Sequence, residues 1–261
     1  MCLLRLHLYV VNIDCMLFNE YDIILTQGFI GATDENESTT LGREGSDYSA
    51  AVFTNMLEAE ALTIWKDVES VMNADPKQFP DAIPIPVLNF NEVIEMAYYG
   101  AQIIHPKTIK PLQNKNIPLF VKSFIAPGLA GTVIHNKVVH QLPPIIVLKE
   151  NQVLLQMSSR DFSFIGEHYI GRLYQLFESL HLKPNLTQNG AISFVCVFDD
   201  RAERLEKLAL EASAFLDVQV MKNLSLLTIR HFNKEIFEKL TIDKKILLRQ
   251  QTQTTIQVLM Q

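Results

Sequence analysis

Residues 39–47 read Thr39-Thr40-Leu41-Gly42-Arg43-Glu44-Gly45-Ser46-Asp47 and run directly into a stretch with helical patterning. Gly42 and Gly45 let the backbone approach a ligand closely, and the start of the following helix offers unpaired N–H groups to an anion. Arg43 adds a planar fork suited to a carboxylate or a phosphate. Ser46 and Asp47 either hold a ligand's ammonium group or cap the helix. The whole stretch also reads as an ordinary glycine turn with a capping serine. Upstream, Asp22–Phe29 is a short β-rich run ending at Gly28 and Gly31. Downstream, Ser46–Glu60 carries Val52, Phe53, Met56 and Leu57 as a helical stripe, and Leu62–Trp65 is a short buried-strand candidate. Asn89-Phe90-Asn91-Glu92 has the form of a helix start, with Gly100 as its stop, and Ile117–Phe124 reads as another strand. Alternation of this kind predicts an α/β fold with a mainly parallel sheet over residues 1–141.

The pattern changes near Gln141-Leu142-Pro143-Pro144. Beyond it, Val153–Met157 is strand-like. Ser163–Leu182 predicts a long helix with Ile165, Tyr169, Leu173, Leu176, Phe177 and Leu180 on one face. Lys183–Gln188 and Ala191–Phe198 flank an Asn189-Gly190 turn and read as a hairpin. Arg201–Phe215 is a second amphipathic helix and Val218–Met221 a closing strand. That order is a ferredoxin-like βαββαβ unit over about 151–221. A shorter unit over about 222–261 follows, with strand Leu224–Phe232, helix Lys234–Leu240, and strands Ile246–Gln250 and Thr255–Met260, as in a diverged tandem repeat.

Composition bounds the partners. A chain of 261 residues with 48% hydrophobic and 20% charged residues can bury two cores. A net charge of −6 without any Lys/Arg-rich run argues against a nucleic-acid surface. Cys2, Cys15 and Cys196 fall into no metal-ligand spacing, which fits a reduced, cytoplasmic compartment and no metal held by the protein. The opening segment is apolar but is interrupted by Arg5, His7 and Asp14. It falls short of the roughly 20 apolar residues of a membrane span, so a buried strand or an ill-defined terminus is expected there.

Two further stretches carry polar chemistry. Ile64–Lys77 leads from a strand end into a loop with Lys66, Asp67, Asp75 and Lys77, and loops at the C-terminal ends of parallel strands are where α/β sheets bind ligands. The lysines can neutralise polyphosphate and Asp67 can accept from a base or a ribose; the loop also reads as plain solvated surface. In Glu95–Lys107, His105 precedes a proline in an apolar run and is read as structural rather than catalytic, because no second ligand stands at metal spacing.

Taken together, Thr39–Ala50, Ile64–Val68 with Ala74-Asp75-Pro76, and Tyr98–Leu112 closely resemble successive signatures of the aspartate kinases, in that family's order and spacing. Gln27–Thr33 and Gly131–Ile134 resemble the family as well. The resemblance is strong over residues 20–135 and thereafter one of pattern, to the family's ACT regulatory region. It implies part of the amino-acid-kinase three-layer sandwich over 1–141 and a tandem ACT region over 142–261. In that region the strand Pro144–Lys149 would complete the second unit.

The implied reaction moves the γ-phosphoryl group of ATP, with Mg2+ held mainly through the phosphates, to the side-chain carboxylate of L-aspartate. By motif, Arg43, Ser46 and Asp47 would bind aspartate. Lys66, Asp67, Met72, Lys77 and Gln102 would lie along the nucleotide. Glu44 departs from the family's usual Gly, Lys66 from Thr, Met72 from Tyr and Gln102 from Lys.

The family's K-x-G-G-[ST] phosphate segment is not found ahead of Gln27. The expectation is therefore a chain with the C-terminal half of the kinase domain, inactive or nearly so alone, with no catalytic residue assigned. In the tail, the resemblance makes Met157, Ser158, Ser159, Asp161, Phe162, Phe164, Ile165, Thr187, Gln188 and Asn189 an effector site for lysine or threonine. It also implies a homodimer through the ACT units. A non-catalytic amino-acid-binding ACT subunit, or a decayed fragment of the kinase, is the alternative.

Overall fold

The computed structural model describes residues 20–35 and 37–261, so the expectation for the opening segment, with Cys2 and Cys15, lies outside the described residues. The chain divides into two compact units, residues 1–145 and 146–261.

In the first unit, β1 (Ile30–Ala32) and β2 (Ser38–Thr40) form a short antiparallel hairpin. They lead into α1 (Gly45–Met56) and β3 (Leu62–Lys66). Next come β4 (Val87–Asn89), α2 (Phe90–Tyr99), α3 (Pro106–Lys115), β5 (Leu119–Ser123) and β6 (Thr132–His135). The sheet order is β3-β5-β6-β4, with β3/β5 and β4/β6 parallel and β5/β6 antiparallel. Period-two alternation turns Leu62, Ile64, Leu119, Val121 and Ile134 inward, where they meet Ala51 of α1, Val93 and Met96 of α2, and Ile109 and Leu112 of α3. A mixed α/β fold with mainly parallel pairing is what the alternation predicted.

Several boundaries differ for physical reasons. Asp22–Phe29 is not a strand; Ile23 and Leu25 are exposed, and no strand among the described residues pairs with them. In α1 the buried face is Gly45, Ser49, Ala51, Val52 and Thr54, so of the expected stripe only Val52 is buried. Small side chains on that face let α1 lie close to its neighbours. The α2 signals were read correctly: the Asn89 side chain accepts from Glu92 N, and Gly100 takes φ 116°. Helix α3 was not read. It has Ile109 and Leu112 on its buried face and carries Pro111 inside, which hides its periodicity.

In the second unit, β7 (Ile145–Ser158), α4 (Glu167–Ser179), β8 (Leu186–Asn189), β9 (Ser193–Asp199), α5 (Ala202–Ala212) and β10 (Asp217–Arg230) follow the βαββαβ order. Then α6 (Lys234–Thr241), β11 (Ile246–Gln251) and β12 (Thr255–Met260) complete the chain. The sheet order is β11-β12-β10-β7-β9-β8.

Strands expected separately at 144–149 and 153–157, and at 218–221 and 224–232, are continuous as β7 and β10. Their interruptions are single residues in left-handed conformation, Asn151 (φ 53°) and Asn223 (φ 60°), a region that Asn tolerates best among non-glycines. The face of the sheet under α4 and α5 packs Val153, Leu155, Met157, Phe194 and Phe198 against Leu173, Phe177, Leu205 and Leu208. Leu154, Leu186, Val197, Leu224, Leu226 and Leu259 form a second cluster. With Gln250 Nε2 donating to Thr187 O at 2.7 Å, β11 and β8 at the two ends of the order are linked. The sheet therefore curls back on itself.

Candidate functional site

The three polar stretches converge at the C-terminal end of β3. Gly45 opens α1 where a Cβ would lie 2.8 Å from Phe29 Cδ2 and 3.0 Å from Leu41 Cβ, so any side chain there would have to displace the Phe29 ring. Phe29 N donates to Ser49 Oγ at 3.0 Å, which fixes that approach. Glu44, at the N-cap position, is left-handed (φ 53°), and no side chain caps α1. Its carboxylate instead accepts from His105 N at 2.7 Å, tying the glycine turn to the start of α3. Lys107 repeats the tie from the other side, donating to Leu41 O at 2.9 Å with its ammonium 5.7 Å from the Tyr48 ring centroid.

Asp47 lies in the first turn of α1, and its Oδ2 is 3.3 Å from Lys66 Nζ. The same ammonium donates to Ile103 O at 2.8 Å. One lysine thus joins the glycine turn, the strand end and the Gly100–Lys107 segment. Arg43 and Ser46 are exposed beside it. Gly45 N donates to Gly42 O at 2.9 Å. With α1 lacking a side-chain cap, the next N–H groups, of Ser46 and Asp47, and Arg43 offer donors to a carboxylate, and the Asp47 side chain is an acceptor in the same turn for an ammonium group.

Of the expected nucleotide residues, Lys66 ends β3, Asp67, Met72 and Lys77 lie in the loop after it, and Gln102 lies between α2 and α3. Asp67 is exposed just past β3, Lys77 and Gln102 are exposed, and Met72 is half-buried. The loop is anchored from below. Val71 N donates to Thr132 Oγ1 at 2.9 Å, and Asn73 bonds Ile83 N and Pro144 O through its side chain. Asp75 Oδ1 accepts from Lys77 N at 2.9 Å, which makes an Asx turn. This anchoring leaves Asp67, Val68 and Glu69 facing solvent. His105 is structural, as expected: its Nδ1 accepts from Lys107 N and caps α3. Among the described residues no cluster of three or more His, Cys, Asp or Glu could hold a metal ion. No helix among them is long and apolar enough to cross a membrane.

The expected effector residues belong to the second unit. The side chains of Met157 and Ile165 are buried in the core under α4. Between them, Ser159 N donates to Ile192 O and Ile165 N to Ala191 O, so the loop is hydrogen-bonded to the turn after β8. Asp161 accepts from Ser159 Oγ, Ser163 Oγ and Ser163 N, and the two serine side chains hold its carboxyl down at about 2. Arg160 reaches Asp217 Oδ1 at 3.0 Å. Helix α4 starts at Glu167 rather than Ser163, because this loop keeps 159–165 out of it. Phe162 and Phe164 point outward, at 81% and 79% exposure. Ser158 is half-buried at the end of β7, while Thr187, Gln188 and Asn189 lie in β8, opposite Cys196, Val195 and Phe194.

Glu44 and Lys107 are the site residues that sequence reasoning did not assign. The signal for Lys107 was its place directly after His105-Pro106. Glu44 stood out only as a non-glycine in a glycine turn.

Residues 10–123 match the amino acid kinase family. The chain is similar to lysine-sensitive aspartokinase 3 of Escherichia coli (strain K12), at 31% identity over 217 residues that take in 79% of this chain. It spans about half, 48%, of that relative's length. Two solved structures share the fold. The E. coli aspartokinase III complex with aspartate and ADP (R-state) superposes with a TM-score of 0.76 at 27% identity, over 94% of this chain and 58% of the other. The complex of E. coli aspartokinase III with lysine and aspartate (T-state) gives 0.76 and 27% over 97% and 60%.

Proposed function

We propose, from the premise that the chain belongs to the aspartokinases within the amino acid kinase family, that residues 1–141 serve aspartate phosphorylation. They would bind L-aspartate at Arg43, Ser46 and Asp47, and the nucleotide along Lys66, Asp67, Met72, Lys77 and Gln102. The observation that carries this reading is the convergence of Asp47, Lys66 and Ile103 O beside the uncapped start of α1. A carboxylate would settle on Arg43 and the first-turn N–H groups, leaving the ligand's own side-chain carboxylate directed at the loop after β3.

In the reaction, the bond between the γ-phosphorus and its bridging oxygen to the β-phosphate breaks, and a bond to an aspartate side-chain oxygen forms. The products are ADP and aspartyl phosphate. The attacking carboxylate is already ionised at neutral pH, so the chain's task is positioning and charge stabilisation rather than proton removal. Mg2+ would enter on the phosphates and neutralise their charge. That the E. coli relative was solved with aspartate and ADP supports this assignment of ligands.

The second unit reads as a tandem ACT region, regulatory, and the E. coli relative solved with lysine supports an amino-acid effector. The effector would dock at the loop 158–165 and at Thr187, Gln188 and Asn189, with a homodimer formed through these units. A second reading, a non-catalytic amino-acid-binding subunit, is favoured by how completely that loop is pre-organised around Asp161.

The test is ATP-dependent aspartyl-phosphate formation trapped with hydroxylamine, with and without lysine or threonine, in the wild type and in Arg43→Ala. Aspartate-dependent product that vanishes in Arg43→Ala supports the kinase reading. Stabilisation by lysine or threonine without product supports the second. Neither signal rejects both.

A further inference from the structure

Resting on the aspartate-kinase reading above, we infer that the Lys66–Asp47 ion pair couples the two substrates. It masks the Asp47 carboxylate until an anion draws the Lys66 ammonium away. The geometry distinguishes the two partners of that ammonium. Ile103 O lies at 2.8 Å, whereas Asp47 Oδ2 lies at 3.3 Å. A charge-assisted N–H···O contact normally closes to about 2.7–2.9 Å, so the carboxylate is the looser of the two. An ammonium carries three donors, which leaves one for an incoming anion. The side chains of Lys66 and Asp47 retain 24% and 20% exposure, enough for a ligand to reach both and little enough for their attraction to escape full screening.

Position does the rest. Lys66 is the last residue of β3, at the head of the loop along which the nucleotide would lie, and its ammonium is the cationic group there for a phosphate. Asp47 faces the start of α1, where an amino acid's ammonium would lie. The nearest other carboxylate on the turn, that of Glu44, is already bonded to His105 N and does not compete for the lysine. Lys66 can keep its bond to Ile103 O as a pivot while its charge turns from Asp47 to phosphate. Asp47 is then free to accept from the amino acid. Linkage makes the effect reciprocal, so each ligand tightens the other. Lys66 is in this sense a positioning residue acting through Asp47.

The experiment is isothermal titration of the full chain with L-aspartate, alone and with saturating ADP or inorganic pyrophosphate. Both additions are expected to tighten aspartate binding about fivefold or more, the lower end of ordinary coupling. Lys66→Met should bind aspartate more tightly than the wild type does alone, and should show no further tightening. Asp47→Asn should still bind ADP while losing aspartate affinity. Aspartate affinity that ignores both anions in the wild type overturns the coupling and leaves the aspartate reading standing. Tightening by ADP without tightening by pyrophosphate overturns the phosphate–Lys66 step. No aspartate binding under any condition overturns both. The wild-type titrations decide the matter even if a variant fails to fold.

Discussion

Glu44 combines two opposing effects that substitution can separate. Its left-handed backbone (φ 53°) costs about 1 kcal/mol relative to glycine at the same position. Its carboxylate accepts from His105 N at 2.7 Å, a charge-assisted bond whose loss costs about 1.5–3 kcal/mol. Because the contact is only partly buried, the lower end applies. Glu44→Ala removes the bond and keeps the backbone cost, for a loss of about 1.5 kcal/mol. Glu44→Gly removes the bond but also the cost, for a net loss of about 0.5 kcal/mol. Glu44→Gln keeps a neutral bond and should fall between them. Trp65 is the chain's single tryptophan and stands on β3 in the first unit, so its fluorescence reports thermal unfolding of that unit alone. The Gly and Ala variants should differ by about 2–4 °C in Tm, with Gly the more stable. Equal Tm values, or Ala above Gly, would refute the left-handed turn. A Gly variant as stable as the wild type would refute the bond to His105.

Four further outcomes follow from single residues. Phe177→Ala, at the centre of the core under α4 and α5, should cost about 3–5 kcal/mol and shift the denaturant midpoint of the second unit accordingly. Gly131→Ala would drive a Cβ into Val121 O at φ +71°; the variant should lose the β5–β6 register, read as faster amide exchange at Val121 and Thr132. Asp161 has a folded pKa depressed from 3.8 to about 2 by the serine hydrogen bonds. Its stabilisation of the loop is thus complete above 3.8 and lost as pH falls toward 2, which chemical-shift titration of Ser159 and Ser163 amides would follow. Burial pushes the Cys196 thiol well up, so peptide mapping should find it unlabelled by a thiol reagent at pH 8 until the chain is denatured.

What could be read in the sequence depended on how locally each feature is determined. Helix α2 was legible at both ends because Asn89 and Gly100 act through their own turn of backbone. Asp22–Phe29 was misread because a strand needs a neighbour, and alternation in one segment says nothing about whether a partner exists. Helix α3 was invisible to periodicity, since its hold on the unit comes from Ile109, Leu112 and a proline start rather than a full apolar face. In the site, the residue types could be chosen from spacing alone, but their connections could not. Lys66 was taken as a phosphate donor from its place in a loop. That its ammonium meets Asp47 and Ile103 O depends on the packing of three segments that lie far apart in the sequence.

The two left-handed asparagines show the same limit in the second unit and lead to a cooperative consequence. Each lies after six residues of a fourteen-residue strand, where a polar interruption reads as the end of one strand and the start of another. In β10 the two sides have different attachments. Val218, before Asn223, packs into the core under α4 and α5, whereas Ser225–Arg230, after it, pairs with β12. β10 also lies against β7, whose Gln152–Ser158 pairs with β9. Neither side of the sheet can lose this strand alone: unpairing it from β12 pulls on the α5 core, and the reverse holds equally. Amides of β9 and β12 should accordingly exchange with one common opening free energy. Early exchange of β11 and β12 while β8 and β9 stay protected would show that Asn223 is a hinge between independent units rather than a bend within one body.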